Sequence, residues 1–128
     1  MELTFASLAA EVRRIVAADP EHVYRKPEGD VTVRGIHASC FYSTKSAEGI
    51  IEACLFGRAL SALGVTDAKL IGVETSPIRT AWEALGGERL SEPQRCWIAS
   101  IQMSQDGGAT WGSALADADA RFGFGIQG

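Results

Sequence analysis

Residues 49–65 read GIIEACLFGRALSALGV, the most apolar stretch of the chain. Only Glu52 and Arg58 carry charge there, and every fourth residue is small: Gly49, Ala53, Gly57 and Ser61. The spacing predicts a helix over 47–63, capped by Ser46, covered on most faces and notched along one. Gly64 suits the left-handed position just beyond it, and Val65 can fold back as the apolar partner of a Schellman stop. The small residues follow the i, i+4 ridge, so Gly49, Ala53, Gly57 and Ser61 predict a packing seam that another element approaches closely. A mid-helix glycine costs up to about 1 kcal/mol relative to alanine, so Gly57 needs such packing in compensation. The two charges and the length exclude a membrane span, which takes roughly 18 to 20 apolar residues.

Outward from this helix, the N-terminal side begins with a second amphipathic pattern over 3–18. Phe5, Leu8, Val12, Ile15 and Val16 share one face, with Glu11, Arg13 and Arg14 off it. Asp19-Pro20 ends it, because the residue before a proline is biased out of the helical region. The opening MELTFASLAAEVRR is therefore read as a helix rather than a secretory signal. Residues 20–42 change character. β-Branched and aromatic residues surround the turn cluster Pro27-Glu28-Gly29-Asp30, which predicts a small β-hairpin or meander with strands near 22–26, 31–36 and 38–42.

On the C-terminal side, Thr66 caps a short helix over 67–73. Ser76 and Pro77, as N-cap and first helical residue, open another over 77–86, closed by Gly86-Gly87. Ser91 and Gln94 have capping-box spacing and open a helix over 92–106, which Gly107-Gly108 breaks. Thr110 caps the last, with Trp111, Leu115, Ala118 and Phe122 facing inward. These last two are expected to form an antiparallel hairpin, with Trp97 and Trp111 packed across it and Trp82 in the core. The tail RFGFGIQG over 121–128 is glycine-rich, and is either mobile or docked through its Phe residues. The expected fold is mainly α, of α+β class: one compact helical domain over 1–128 with the small hairpin near 20–42.

Composition narrows the function. The 128 residues are 46% hydrophobic and 22% charged, ordinary globular usage that excludes disorder of the whole chain. A net charge of −4 argues against non-specific binding to nucleic acid or an anionic membrane. Three cysteines, an odd number, favour reduced thiols and a cytoplasmic setting. The chain holds no Asn, nine Arg against three Lys, and 19 Ala, a bias that points to a GC-rich coding genome.

Candidate chemistry is sparse. His37 and Cys40, with Cys54 and either His22 or Cys96, offer the ligand types of a zinc site, but only one closely spaced pair. A thiol in an apolar helix such as Cys54 usually acts as a small hydrophobe. A Cys40–His37 nucleophile would need the strand to bend, because residues three apart on a strand point to opposite faces. Asp117 and Asp119 are two apart on a helix and do not face each other. No phosphate-binding glycine loop or nucleophile elbow is present. No catalytic residue, metal or cofactor is assigned. RALSALGVTDAKLIGVE, over 58–74, resembles a helix-turn-helix, which would present Arg58, Thr66, Lys69 and Arg79 to DNA. The same spacing is also a common helix-packing device.

Three segments together resemble small uncharacterised actinobacterial and actinophage proteins. They are DPEHVY over 19–24, CLFGRALSALGV over 54–65, and RCWIASIQMSQDGGATWGSALADAD over 95–119. The matching residues include Asp19, Pro20, Val23, Tyr24, Cys54, Gly57, Trp97, Gln102, Gln105, Asp106, Trp111 and Gly112. The resemblance implies a source that agrees with the coding bias, and no catalytic residue. The expected function is a non-enzymatic interaction or regulatory protein that meets a host protein or a second copy of itself. A helix-turn-helix regulator over 58–74 is the alternative, and a thiol- or metal-dependent activity around His37, Cys40 and Cys54 is the second alternative.

Overall fold

Local chemistry at the helix ends accounts for most of the architecture. A computed structural model describes residues 3–25, 32–33, 36–37, 42–43, 53–74 and 76–123, and it is mainly helical. The first helix, α1 (Phe5–Ala18), starts where the Thr4 hydroxyl accepts from the Ser7 N–H, and it buries Phe5, Leu8, Val12 and Val16. Next come α2 (Leu55–Ala62), α3 (Asp67–Gly72), α4 (Ile78–Ala84), α5 (Glu92–Asp106) and α6 (Trp111–Phe122). The capping box expected at Ser91 and Gln94 opens α5, and the Thr110 hydroxyl caps α6.

Three helices end on the same device. After α2, α4 and α5 the chain turns at Gly64, Gly86 and Gly108, which have φ of 96°, 81° and 95°. In each case the following N–H reaches back to the third carbonyl from the helix end: Val65 to Leu60, Gly87 to Trp82, and Ala109 to Ser104, at 2.9–3.0 Å. These are Schellman stops, and the left-handed residue is glycine because a Cβ is disfavoured there.

The four residues 107–110 fold α6 back along α5, and these two make the most extensive helix contact. Trp97 near the start of α5 reaches Asp119 near the end of α6, so the pair is antiparallel. One continuous cluster of buried side chains unites the layers: Phe5, Leu8 and Val12 from α1, Leu55, Phe56 and Leu60 from α2, and Ile98 and Ile101 from α5. Each such side chain contributes about 1.5–3 kcal/mol of burial. No helix among the described residues is long and apolar enough to cross a membrane.

Several expectations are corrected. The helix predicted over 47–63 begins only at Leu55. Ala53 and Cys54 precede it, Cys54 in an extended conformation (φ −70°, ψ 170°), and 44–52, including Ser46 and Gly49, lie outside the described residues. The seam is therefore not a helical ridge. Ala53 stands before the helix, Ser61 is exposed, and only Gly57 is a buried close-approach point within α2. The N-cap of α4 is Pro77 rather than Ser76, with ψ of 156°. The three-strand hairpin or meander is not what the described residues show. Thr32–Val33 pairs antiparallel with Ile36–His37 over two residues each, and the 22–25 segment meets α6 through a single bridge, Val23 to Thr110. Residues 38–41 and the tail 124–128 lie outside the described residues. Trp82, Trp97 and Trp111 are buried, as expected; Trp97 also packs edge-on against Phe5 at 5.4 Å, and Trp111 against His22 at 4.3 Å.

Candidate functional site

The buried polar side chains are the natural place to look for chemistry. Among the described residues Glu74, Gln102 and Gln105 are at least nine-tenths buried, as is Ser43. Gln102 and Gln105 sit on the apolar stripe of α5, continuing Ile98 and Ile101 at i, i+3, i+4, i+7. Each carboxamide reaches the start of another helix. Gln105 Oε1 accepts from the Leu55 N–H at 2.8 Å, and Gln102 Oε1 accepts from the Ile78 N–H at 2.8 Å. These are the first N–H groups of α2 and α4, the two helices whose own N-caps, Cys54 and Pro77, make no side-chain capping bond. A buried helix start needs such a partner, and here it comes from a different helix.

The remaining atoms of the network are also bonded. Gln102 Nε2 donates to the Tyr42 hydroxyl at 2.9 Å, and that hydroxyl donates to the Ser76 carbonyl at 2.6 Å. The Glu74 carboxylate accepts from the Tyr42 N–H at 2.8 Å and the Ser43 N–H at 3.1 Å. Gln105 Nε2 donates to Asp106. The same logic recurs elsewhere. The Pro20 and His22 carbonyls accept from the Gly112 and Trp111 N–H groups at the start of α6, and Glu88 Oε1 accepts from the Phe5 N–H at the start of α1. Sequence reasoning missed this system. Its one signal was the pair Gln102 and Gln105, polar residues at positions where the period demands apolar ones.

The partly exposed charges act as clamps. Arg13 on α1 makes a bidentate pair with Asp119 on α6 (2.7 and 2.9 Å), and the Trp97 indole N–H donates to the same carboxylate at 2.9 Å. The Arg13 hydrogen bonds hold the Asp119 carboxyl below its ordinary value, against the opposing effect of partial burial and with help from Trp97. The same bonds raise Arg13.

The proposed DNA-reading residues are spread over three elements: Arg58 on α2, Thr66 and Lys69 at α3, and Arg79 on α4. Thr66 and Lys69 lie on the exposed side of α3, where the Thr66 hydroxyl is engaged as cap by the Lys69 N–H. Arg58 stacks on Trp111 at 4.7 Å. Arg79 is on α4 and lines a different groove. Cys54 is fully buried and Cys96 half-buried, its thiol 3.6 Å from Glu92. His37 and Cys40 fall where no side chain is described. Among the described residues no group of three His, Cys, Asp or Glu could hold a metal ion.

Among the described residues, two concavities stand out. One, of about 360 Å³, is lined by Tyr42 and Ser43 and by Gly57, Arg58, Ser61 and Asp67. The larger, about 550 Å³, runs between α4 and α5 and is the candidate functional site. Pro77, Arg79, Thr80 and Glu83 form one wall, and Arg95, Ala99, Gln102 and Met103 the other. At one end Arg95 donates to Glu92, which lowers the Glu92 carboxyl, first through that hydrogen bond and then through its charge. The groove offers mixed charge, a hydroxyl, and an exposed thioether. Comparison with protein-family models, curated proteins and solved structures finds no match to this chain.

Proposed function

We propose that the chain is a small, non-enzymatic interaction or regulatory protein, carried by a phage or mobile element of a GC-rich bacterium and acting on a host protein in the cytoplasm. The observation that carries this reading is the use of the buried polar groups. Gln102, Gln105 and Glu74 are each spent on backbone groups of their own chain. Among the described residues, what is left to meet another molecule is the outer surface. Photo-reactive residues placed at Met103, at Lys69 and at Arg14, one face at a time, test this in the host cell. One host protein captured from one face and not from the others is expected. Capture of none from any face overturns the reading.

A helix-turn-helix regulator is the second reading, supported by the Schellman turn between α2 and α3 and by the exposed Asp67, Ala68 and Lys69. It requires duplex binding that weakens steeply with salt and falls further in Lys69→Ala. Fluorescence anisotropy with genomic fragments measures both. Tight, salt-dependent binding of that kind would displace the interaction reading.

A further inference from the structure

We infer that the α4–α5 groove is the contact face between two copies of this chain related by a two-fold axis. The inference does not rest on the function proposed above, which concerns a different protein. Met103 is 75% exposed, and Val23 is the other large apolar side chain that stands in solvent among the described residues. Met103 forms the groove wall with Ala99, four residues before it on α5. Opposite, on α4, Arg79 and Glu83 are exposed and one turn apart. Among the described residues neither side chain makes a hydrogen bond or an ion pair. Each meets the opposite charge only at longer range, Arg79 the Glu92 carboxylate and Glu83 the Arg95 guanidinium. Their order along the helix, cation before anion, is the weaker one for i, i+4 pairing.

This charge pattern selects the occupant. The groove and its end carry two cations, Arg79 and Arg95, and two carboxylates, Glu83 and Glu92. A uniformly acidic or basic partner meets as much repulsion as attraction there. A second copy with its α4 antiparallel to the first does not. Arg79 then faces Glu83 of the other copy, Glu83 faces the other Arg79, and the contact is self-complementary. The two Met103 side chains cover one another beside these pairs.

Sedimentation equilibrium of the purified full chain, from about 1 μM to about 1 mM, spans the relevant range of affinity. Dimerisation is expected, weakened about tenfold or more by Arg79→Glu, by Glu83→Arg and by Met103→Glu. All three residues are exposed, so far-UV circular dichroism should be unchanged, as should melting at concentrations where the native chain is monomeric. The decisive arm is the mixture. Arg79→Glu carries two carboxylates on α4 and Glu83→Arg two guanidiniums, so each alone repels itself while a 1:1 mixture pairs. Recovery of dimer in the mixture supports the two-fold contact. A monomer at every concentration, a dimer indifferent to all three substitutions, or no recovery on mixing overturns it.

Discussion

At Gly57 a hydrogen atom faces backbone where any other residue would place a methylene. A Cβ there would fall 2.2 Å from the Tyr42 carbonyl oxygen and 2.6 Å from its Cα. Backbone cannot rotate aside as a flexible side chain can, and the Tyr42 N–H is itself held by Glu74. Gly57→Ala gains up to about 1 kcal/mol of helix propensity, yet overpacking of this kind costs about 1–3 kcal/mol or more. Net destabilisation is expected, larger for Gly57→Leu, measured by urea unfolding. Gly72 supplies the control. It is also helical, and nothing lies within 4 Å of its Cβ position. Gly72→Ala should be neutral or stabilising by up to about 1 kcal/mol. If the two alanine variants shift the midpoint alike, the close approach at Gly57 does not limit stability.

Between elements, the same accounting applies to helix starts. Gln102 and Gln105 interrupt an apolar stripe, so a purely hydrophobic view of α5 predicts that leucine at either position stabilises. The hydrogen bonds predict the opposite sign. Gln105→Leu leaves the buried Leu55 N–H without its acceptor, and Gln102→Leu does so at Ile78 while also releasing the Tyr42 hydroxyl. An unsatisfied buried donor costs about 1–3 kcal/mol. Each variant should lose about that much in denaturant titration, and a gain in stability would refute the capping role. These bonds also explain what the sequence could reveal. The starts of α5 and α6 were legible to the residue because their caps, Ser91, Gln94 and Thr110, lie within four positions of the helices they open. The starts of α2 and α4 were misjudged because their caps sit 50 and 24 positions away. The small-residue seam failed for the same reason. Spacing identified Gly57 as a contact, but not the Tyr42 backbone as what it contacts. Of the candidate site, the sequence exposed individual residues such as Arg79, and the groove itself only formed when α4 met α5.

At the scale of the whole molecule, the Arg13–Asp119–Trp97 clamp ties α1, α5 and α6 with one carboxylate. Its sign with pH follows from the depressed Asp119 carboxyl. A carboxyl that binds its proton less readily folded than unfolded contributes stability above its unfolded value, near 3.8. That contribution is lost as pH falls through the lower, folded value. Arg13, raised by the same pair, keeps its charge throughout this range. Asp119 is about a third exposed (35%), so water screens the pair and the effect is smaller than for a buried ion pair. Melting temperature should fall on acidification from about pH 5 to about pH 2, and Asp119→Asn should flatten part of that slope while lowering the neutral-pH melting point. The conservative variant separates charge from position. An asparagine can still accept from the Trp97 indole, so a neutral-pH loss with an unshifted Trp97 indole N–H resonance isolates the Arg13 pair. A slope identical in Asp119→Asn and the native chain would show that the acid sensitivity comes from other carboxylates, and that the Arg13–Asp119 charge pair adds nothing to it.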